Sequence, residues 1–155
     1  MIQRIQTVYL FLAVAAIISM FFFPIANFYG DTYYFYFSLD GVSDETFLSI
    51  NTIPVMVMAV VLIVLIFSGI FAYKNRMFQV KLIRFAVLLN IAFIIVLYFG
   101  YIDNIVKDFA KQDAVLQVQY KAGVYFPLIV LIFLILAIRA IIADEKKVRA
   151  ADRLR

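Results

Sequence analysis

Four stretches of this chain are apolar over lengths that reach, or nearly reach, the roughly 20 helical residues needed to cross about 30 Å of hydrocarbon. They run from about Ile5 to Phe23, Ile53 to Tyr73, Leu82 to Ile102 and Ala122 to Ala143. No other feature narrows the fold as much. Of the 155 residues 66% are hydrophobic and only 15% charged, against about 25% charged in soluble domains. A water-soluble globule of this composition would expose apolar patches that soluble monomers rarely carry. The expected solvent is therefore a bilayer. The expected fold class is an all-α membrane protein, one domain over 1–155, built as a four-transmembrane-helix bundle.

The ends of the stretches carry the residues that end and start helices. Pro24 stops the first. Asn51 or Thr52 can cap the second, and Pro54 falls in its first turn, where its missing N–H costs nothing. Pro127 falls near the start of the fourth, or can kink it slightly if that helix starts earlier. Arg4 followed by an apolar run raises the question of a cleaved signal peptide. The run is longer than a usual signal core and ends FFFPIANFYG, with no small-residue cleavage pattern. An uncleaved anchor is expected.

Orientation follows from Lys and Arg in the short connections. Arg4, the turn 74–81 with its flank (Lys74, Arg76, Lys81, Arg84), and the end of the chain (Arg139, Lys146, Lys147, Arg149, Arg153, Arg155) would share one side. Residues 24–52 contain no Lys or Arg, and residues 103–121 contain Lys107, Lys111 and Lys121. That asymmetry predicts both termini in the cytoplasm. It also accounts for the net charge of +4 without nucleic-acid binding. Most tyrosines, among them Tyr29, Tyr34, Tyr36, Tyr98, Tyr101 and Tyr120, fall at the predicted outer interface. Tyr9 and Tyr73 fall toward the inner one.

Outside the spans, DTYYFYFSLDG is rich in strand formers. In AVLQVQY, Leu116, Val118 and Tyr120 alternate with Gln117 and Gln119. Two or three short antiparallel strands are expected as a small outer cap. Between them IDNIVKDFAK spaces Ile102, Ile105, Val106 and Phe109 as a helix does. It either continues the third helix or lies on the membrane, with an Asp103–Lys107 pair at i,i+4.

Chemistry is sparsely supplied. With no Cys there is no thiol nucleophile, and with no His no imidazole base or ligand. Asp103, Asp108 and Asp113 do not converge on a helix, because a spacing of five rotates each away from the last. Asp44 and Glu45 read as a solvated outer loop. No cofactor, metal site or catalytic residue is expected. No carboxylate sits inside a span, which disfavours an ion-coupled carrier. Asn90 is the most deeply placed amide, and the expectation is a hydrogen bond between helices. Gln3, Gln6 and Thr7 should lie near the inner headgroups. Ala15 with Ser19, and Ser68 with Ala72, have the small-xxx-small spacing that allows close helix approach.

The fourth helix should run on as a tail over 144–155, since ADEKKVRAADRLR contains neither Pro nor Gly. Glu145 can pair with Arg149, and Asp152 with Arg155. Its apolar side, Ile141, Val148 and Leu154, is narrow. The basic residues Lys74, Arg76, Lys81, Arg84, Arg139, Lys146, Lys147, Arg149, Arg153 and Arg155 are the candidate contacts to anionic headgroups, at about 1 kcal/mol each close to the surface, or to a membrane protein partner.

The start MIQRIQTVYLFLA, the turn YKNRMFQVKL and the end RAIIADEKKVRAADRLR together resemble a small membrane family of Bacteroidetes, domain of unknown function 4293. The resemblance spans the whole chain, and the ending is its most specific part. It implies four transmembrane helices in a bacterial inner membrane and implies no activity. The leading expectation is a non-catalytic accessory or assembly subunit of a larger membrane complex. The alternative is a small oligomeric transporter or channel for a neutral or lipid-like substrate. An enzyme acting on lipid would need Asp, Tyr and Lys to converge at one interface.

Overall fold

The computed structural model describes residues 3–30, 34–43, 50–110 and 117–152, with the backbone alone at 3, 4, 74, 149, 151 and 152. The protein is mostly helical. Three of its helical stretches, Ile53–Phe71, Arg76–Ala110 and Ala122–Val148, are long and apolar enough to cross a membrane. Ile5–Ser19 is a shorter apolar helix.

Helix α1 spans Gln3–Ser19, four residues short of the expected Phe23. Its end tightens rather than stops. Met20, Phe21 and Phe22 donate to the carbonyls three residues back, which satisfies the last orphan acceptors before Pro24 cuts the rod.

Helix α2, Ile53–Phe71, begins with Pro54 in its first turn. The Asn51 side chain, not that of Thr52, accepts the Ile53 N–H at 3.0 Å. A one-turn 3-10 segment, Ala72–Lys74, leads to Asn75. The Asn75 side chain accepts from Phe78 N and starts α3, Arg76–Ile95. The expected cytoplasmic turn over 74–81 is therefore shorter. Once Asn75 caps, RMFQVKLIR has no helix breaker, so Lys81 and Arg84 ride on a helix.

The third rod does not end at Ile102. It passes through a π-helical segment, Val96–Ile102, into α4, Asp103–Ala110. The stretch IDNIVKDFA thus continues the helix. Asp103 and Lys107 pair across one turn at 2.6 Å. Helix α5, Phe126–Asp152, follows a 3-10 turn at Ala122–Tyr125 and carries the tail on without a break.

Four strands form the cap, β1 Ala26–Tyr29, β2 Tyr34–Ser38, β3 Gly41–Val42 and β4 Gln117–Tyr120, in the antiparallel order β3-β2-β1-β4. The strand β1 was not expected. ANFY follows a proline and is too short to show a period, and it becomes central only because β2 and β4 pair on its two sides. Phe28, Phe35 and Phe37 point inward and are fully buried or nearly so. Phe35 stacks on Phe109 of α4, and Phe37 on Tyr101. The sheet is seated on the far end of the third rod.

Helix α1 packs most extensively on α5, while α3 touches both α2 and α5. The most buried α1 positions are Leu10, Ala13, Ile17 and Gln6, with Met20 just past its end. Gln6 is inside the bundle rather than among the headgroups, where it was expected. Ala15 and Ser19 are only half-buried, and Ser19 turns its hydroxyl to Ala15 O at 2.9 Å. Ala13 and Ala16, rather than the Ala15–Ser19 pair, give α1 its buried small-residue face.

Candidate functional site

The two ends of the bundle differ in chemistry. At one end lie the start of α3 and the tail of α5. Arg76 Nη2 stands 3.2 Å from Asp144 Oδ2, an ionic contact rather than an aligned hydrogen bond. Asp144 is buried and Arg76 half-buried. One turn further along α3, Gln79 is buried and donates to Gly69 O at 2.8 Å, tying α3 to α2.

The other candidate basic residues spread along this end. Lys81, Arg84, Arg139, Lys146 and Lys147 are exposed. Arg84 and Arg139 come together on one groove between α3 and α5. Lys74 closes the 3-10 turn. The side chains of Lys74 and Arg149, and residues Arg153 and Arg155, lie outside the described set, as do the expected Glu145–Arg149 and Asp152–Arg155 pairs. The narrow side of the tail divides. Ile141 is buried in the bundle, Val148 is exposed, and Leu154 lies outside the described residues.

Between the ends, Asn90 has no water-accessible surface. Its Nδ2 donates to Pro127 O at 3.0 Å, in the first turn of α5. Its Oδ1 has no partner. The bond joins α3 to α5.

At the opposite end the sheet turns its second face outward. Asn27 stands between Tyr36 and Gln119 in register, and Tyr29 between Tyr34 and Gln117. Tyr29 donates to Gln119 Oε1 at 3.0 Å, and Asn27 Nδ2 reaches the Tyr29 and Tyr34 hydroxyls at 3.4 Å. Asn27 Oδ1 is buried and unpartnered. A concavity of about 420 Å³ opens between this face and the end of α1, lined by Phe22, Asn27, Tyr34, Tyr36, Ser38 and Asp40 among others. A second groove, about 460 Å³, lies along the π segment against β4, with Tyr98, Asp103 and Tyr120 as its polar rim. Residues Asp31, Asp44, Glu45, Asp113 and Leu116 lie outside the described set.

Comparison with protein families matches residues 2–154 to the family described as domain of unknown function (DUF4293). The chain belongs to the DUF4293 family. No curated protein and no solved structure matches it. For this DUF4293 protein the site must therefore be read from its own residues. Among the described residues no group of three or more His, Cys, Asp or Glu side chains could hold a metal ion. Asp144, Gln79, Asn75 and Asn27 were missed in the sequence. Each is a single polar residue whose importance comes from a partner distant in sequence or from a local backbone turn, and no periodicity marks it.

Proposed function

We propose that this DUF4293 protein is a non-catalytic, four-span membrane protein that docks on a larger membrane complex as an accessory or assembly subunit. The observation that carries the reading is the outward sheet face. Tyr29, Tyr34 and Tyr36 are exposed side by side, with Asn27 next to them on β1 and Gln117 and Gln119 flanking on β4. Tyrosine offers large contact area at low entropy cost together with a polar tip, and it is enriched at protein interfaces. The basic residues Arg76, Lys81, Arg84, Arg139, Lys146 and Lys147 gather at the other end of the bundle. By the positive-inside rule that end faces the cytoplasm and the sheet faces out.

A transporter or channel for a neutral or lipid-like substrate would need a cavity reaching the deepest amide, Asn90. The Asn90 amide is instead closed off against Pro127 O, which supports packing over passage.

The test is purification of the full chain in mild detergent, intact, with the tail deleted, and with Tyr34→Ser and Tyr36→Ser combined. The expected result is a co-purifying membrane protein that the tyrosine variant loses. If no stable partner appears with the intact chain, the docking role is wrong.

A further inference from the structure

We propose that the groove between α3 and α5 binds one anionic glycerophospholipid, with its phosphate held by Arg84 and Arg139. The groove is about 470 Å³ and is lined by Arg84, Val87, Leu88, Ile135, Ile138 and Arg139. The two helices run antiparallel, since Arg76 meets Asp144 near one end and Asn90 meets Pro127 near the other. On both helices the apolar lining therefore runs away from its arginine in the same direction. Arg84 is followed at i+3 and i+4 by Val87 and Leu88, and Arg139 is preceded at i−1 and i−4 by Ile138 and Ile135. Residues three and four apart share a helix face, so both guanidinium groups lie at the same end of one apolar floor.

The level along the bundle is set by the Arg76–Asp144 contact. Arg84 is eight residues and Arg139 five residues toward the spans from it, or about 12 and 7.5 Å at helical rise. On the membrane-spanning reading above, with this end cytoplasmic, that level falls where headgroups meet hydrocarbon. Among the described residues neither arginine forms an ion pair. Two uncompensated guanidinium groups call for a ligand with at least one negative charge and oxygens that accept paired N–H donors, which phosphate supplies. The apolar floor calls for acyl chain, which a free phosphate lacks. A protein partner would have to bring carboxylates to the edge of the hydrocarbon, at considerable desolvation cost. An acidic phospholipid meets both demands with groups already at that depth. The proposal rests on the membrane-spanning reading above and not on the docking role.

The full chain in nanodiscs of equal phosphatidylglycerol and phosphatidylcholine, released into native mass spectrometry, gives the test. One phosphatidylglycerol should stay bound in preference to phosphatidylcholine. Arg84→Gln with Arg139→Gln should cut that retention by roughly 30-fold. Lys146→Gln with Lys147→Gln, which removes the same charge from the tail outside the groove, should reduce it far less than the arginine pair does. Leu88→Trp with Ile135→Trp, which fills the floor and keeps both guanidinium groups, should also lose the lipid. Millimolar inorganic phosphate should not displace it. Equal retention of the two lipids, an equal loss in the tail variant, retention in the tryptophan variant, or displacement by phosphate would each overturn the assignment. No partner protein enters the readout, so the docking role can fail separately. Protease protection of the same samples reports separately on whether the chain spans.

Discussion

Arg76 Nη2 on the first residue of α3 lies 3.2 Å from Asp144 Oδ2 on the tail of α5. The contact spans 68 positions of sequence and turns a charged extension into part of the bundle. Removing one partner leaves the other charge half-buried, so Asp144→Asn should cost about 2 kcal/mol, between the values for exposed and buried pairs. Thermal unfolding in detergent measures it, and a cycle with Arg76→Gln should show the two substitutions to be non-additive. Additive losses would mean that the two charges do not interact.

The same contact makes a proteolysis prediction. Lys146 and Lys147 lie just past Asp144, where local opening of the tail exposes them to trypsin. Cleavage there should be faster in Asp144→Asn than in the native chain, because it tracks the open population. Equal rates would detach the tail from the bundle.

Gly123 sits where the turn before α5 crosses the end of α1. Its N–H donates to Pro24 O at 3.0 Å, and a Cβ there would stand 2.7 Å from Pro24 O and 2.8 Å from Phe23 O. Both are backbone atoms, so nothing flexible can yield. Gly123→Ala should lower stability by about 2 kcal/mol through overpacking. A melting temperature unchanged from the native chain would refute this packing. Gly41→Ala is also expected to destabilise, for a different reason. No atom approaches a Cβ there, but φ is +149°, a conformation that side chains avoid.

Asn90→Leu should be mild. Asn90 makes one bond, to Pro127 O, and carries an unpaired acceptor of its own. Removing both groups together loses about 0.6 kcal/mol of interhelical bond and relieves a buried unpaired oxygen. A shift in melting temperature of more than a few degrees would show that Asn90 does more than join two helices.

Reporter fusions at Asp40 and after Arg155 should read opposite sides of the membrane, with the second cytoplasmic. The same side for both would break the four-span arrangement.

Much of this protein is decided locally, and so is legible along the chain. The apolar runs set the helices, because a stretch such as Ile53–Phe71 has no polar side chain but Ser68 to compete with its own backbone bonds. Pro54 and the i,i+4 Asp103–Lys107 pair fall where neighbour chemistry puts them. The split of basic and tyrosine-rich ends follows from where Lys, Arg and Tyr fall along the chain. Other features depend on what distant segments bring. The strand ANFY exists because YFYFS and QVQY pair on its two sides. Asp144 is one more charge in a charged tail until Arg76 arrives beside it. Arg84 and Arg139 are two boundary arginines until antiparallel packing sets them on one groove. Hydrophobic periodicity and charge counts report each residue's relation to its solvent and near neighbours. Which polar groups meet across the bundle is set by helix order, rotation and depth, and those are decided only when the rods pack.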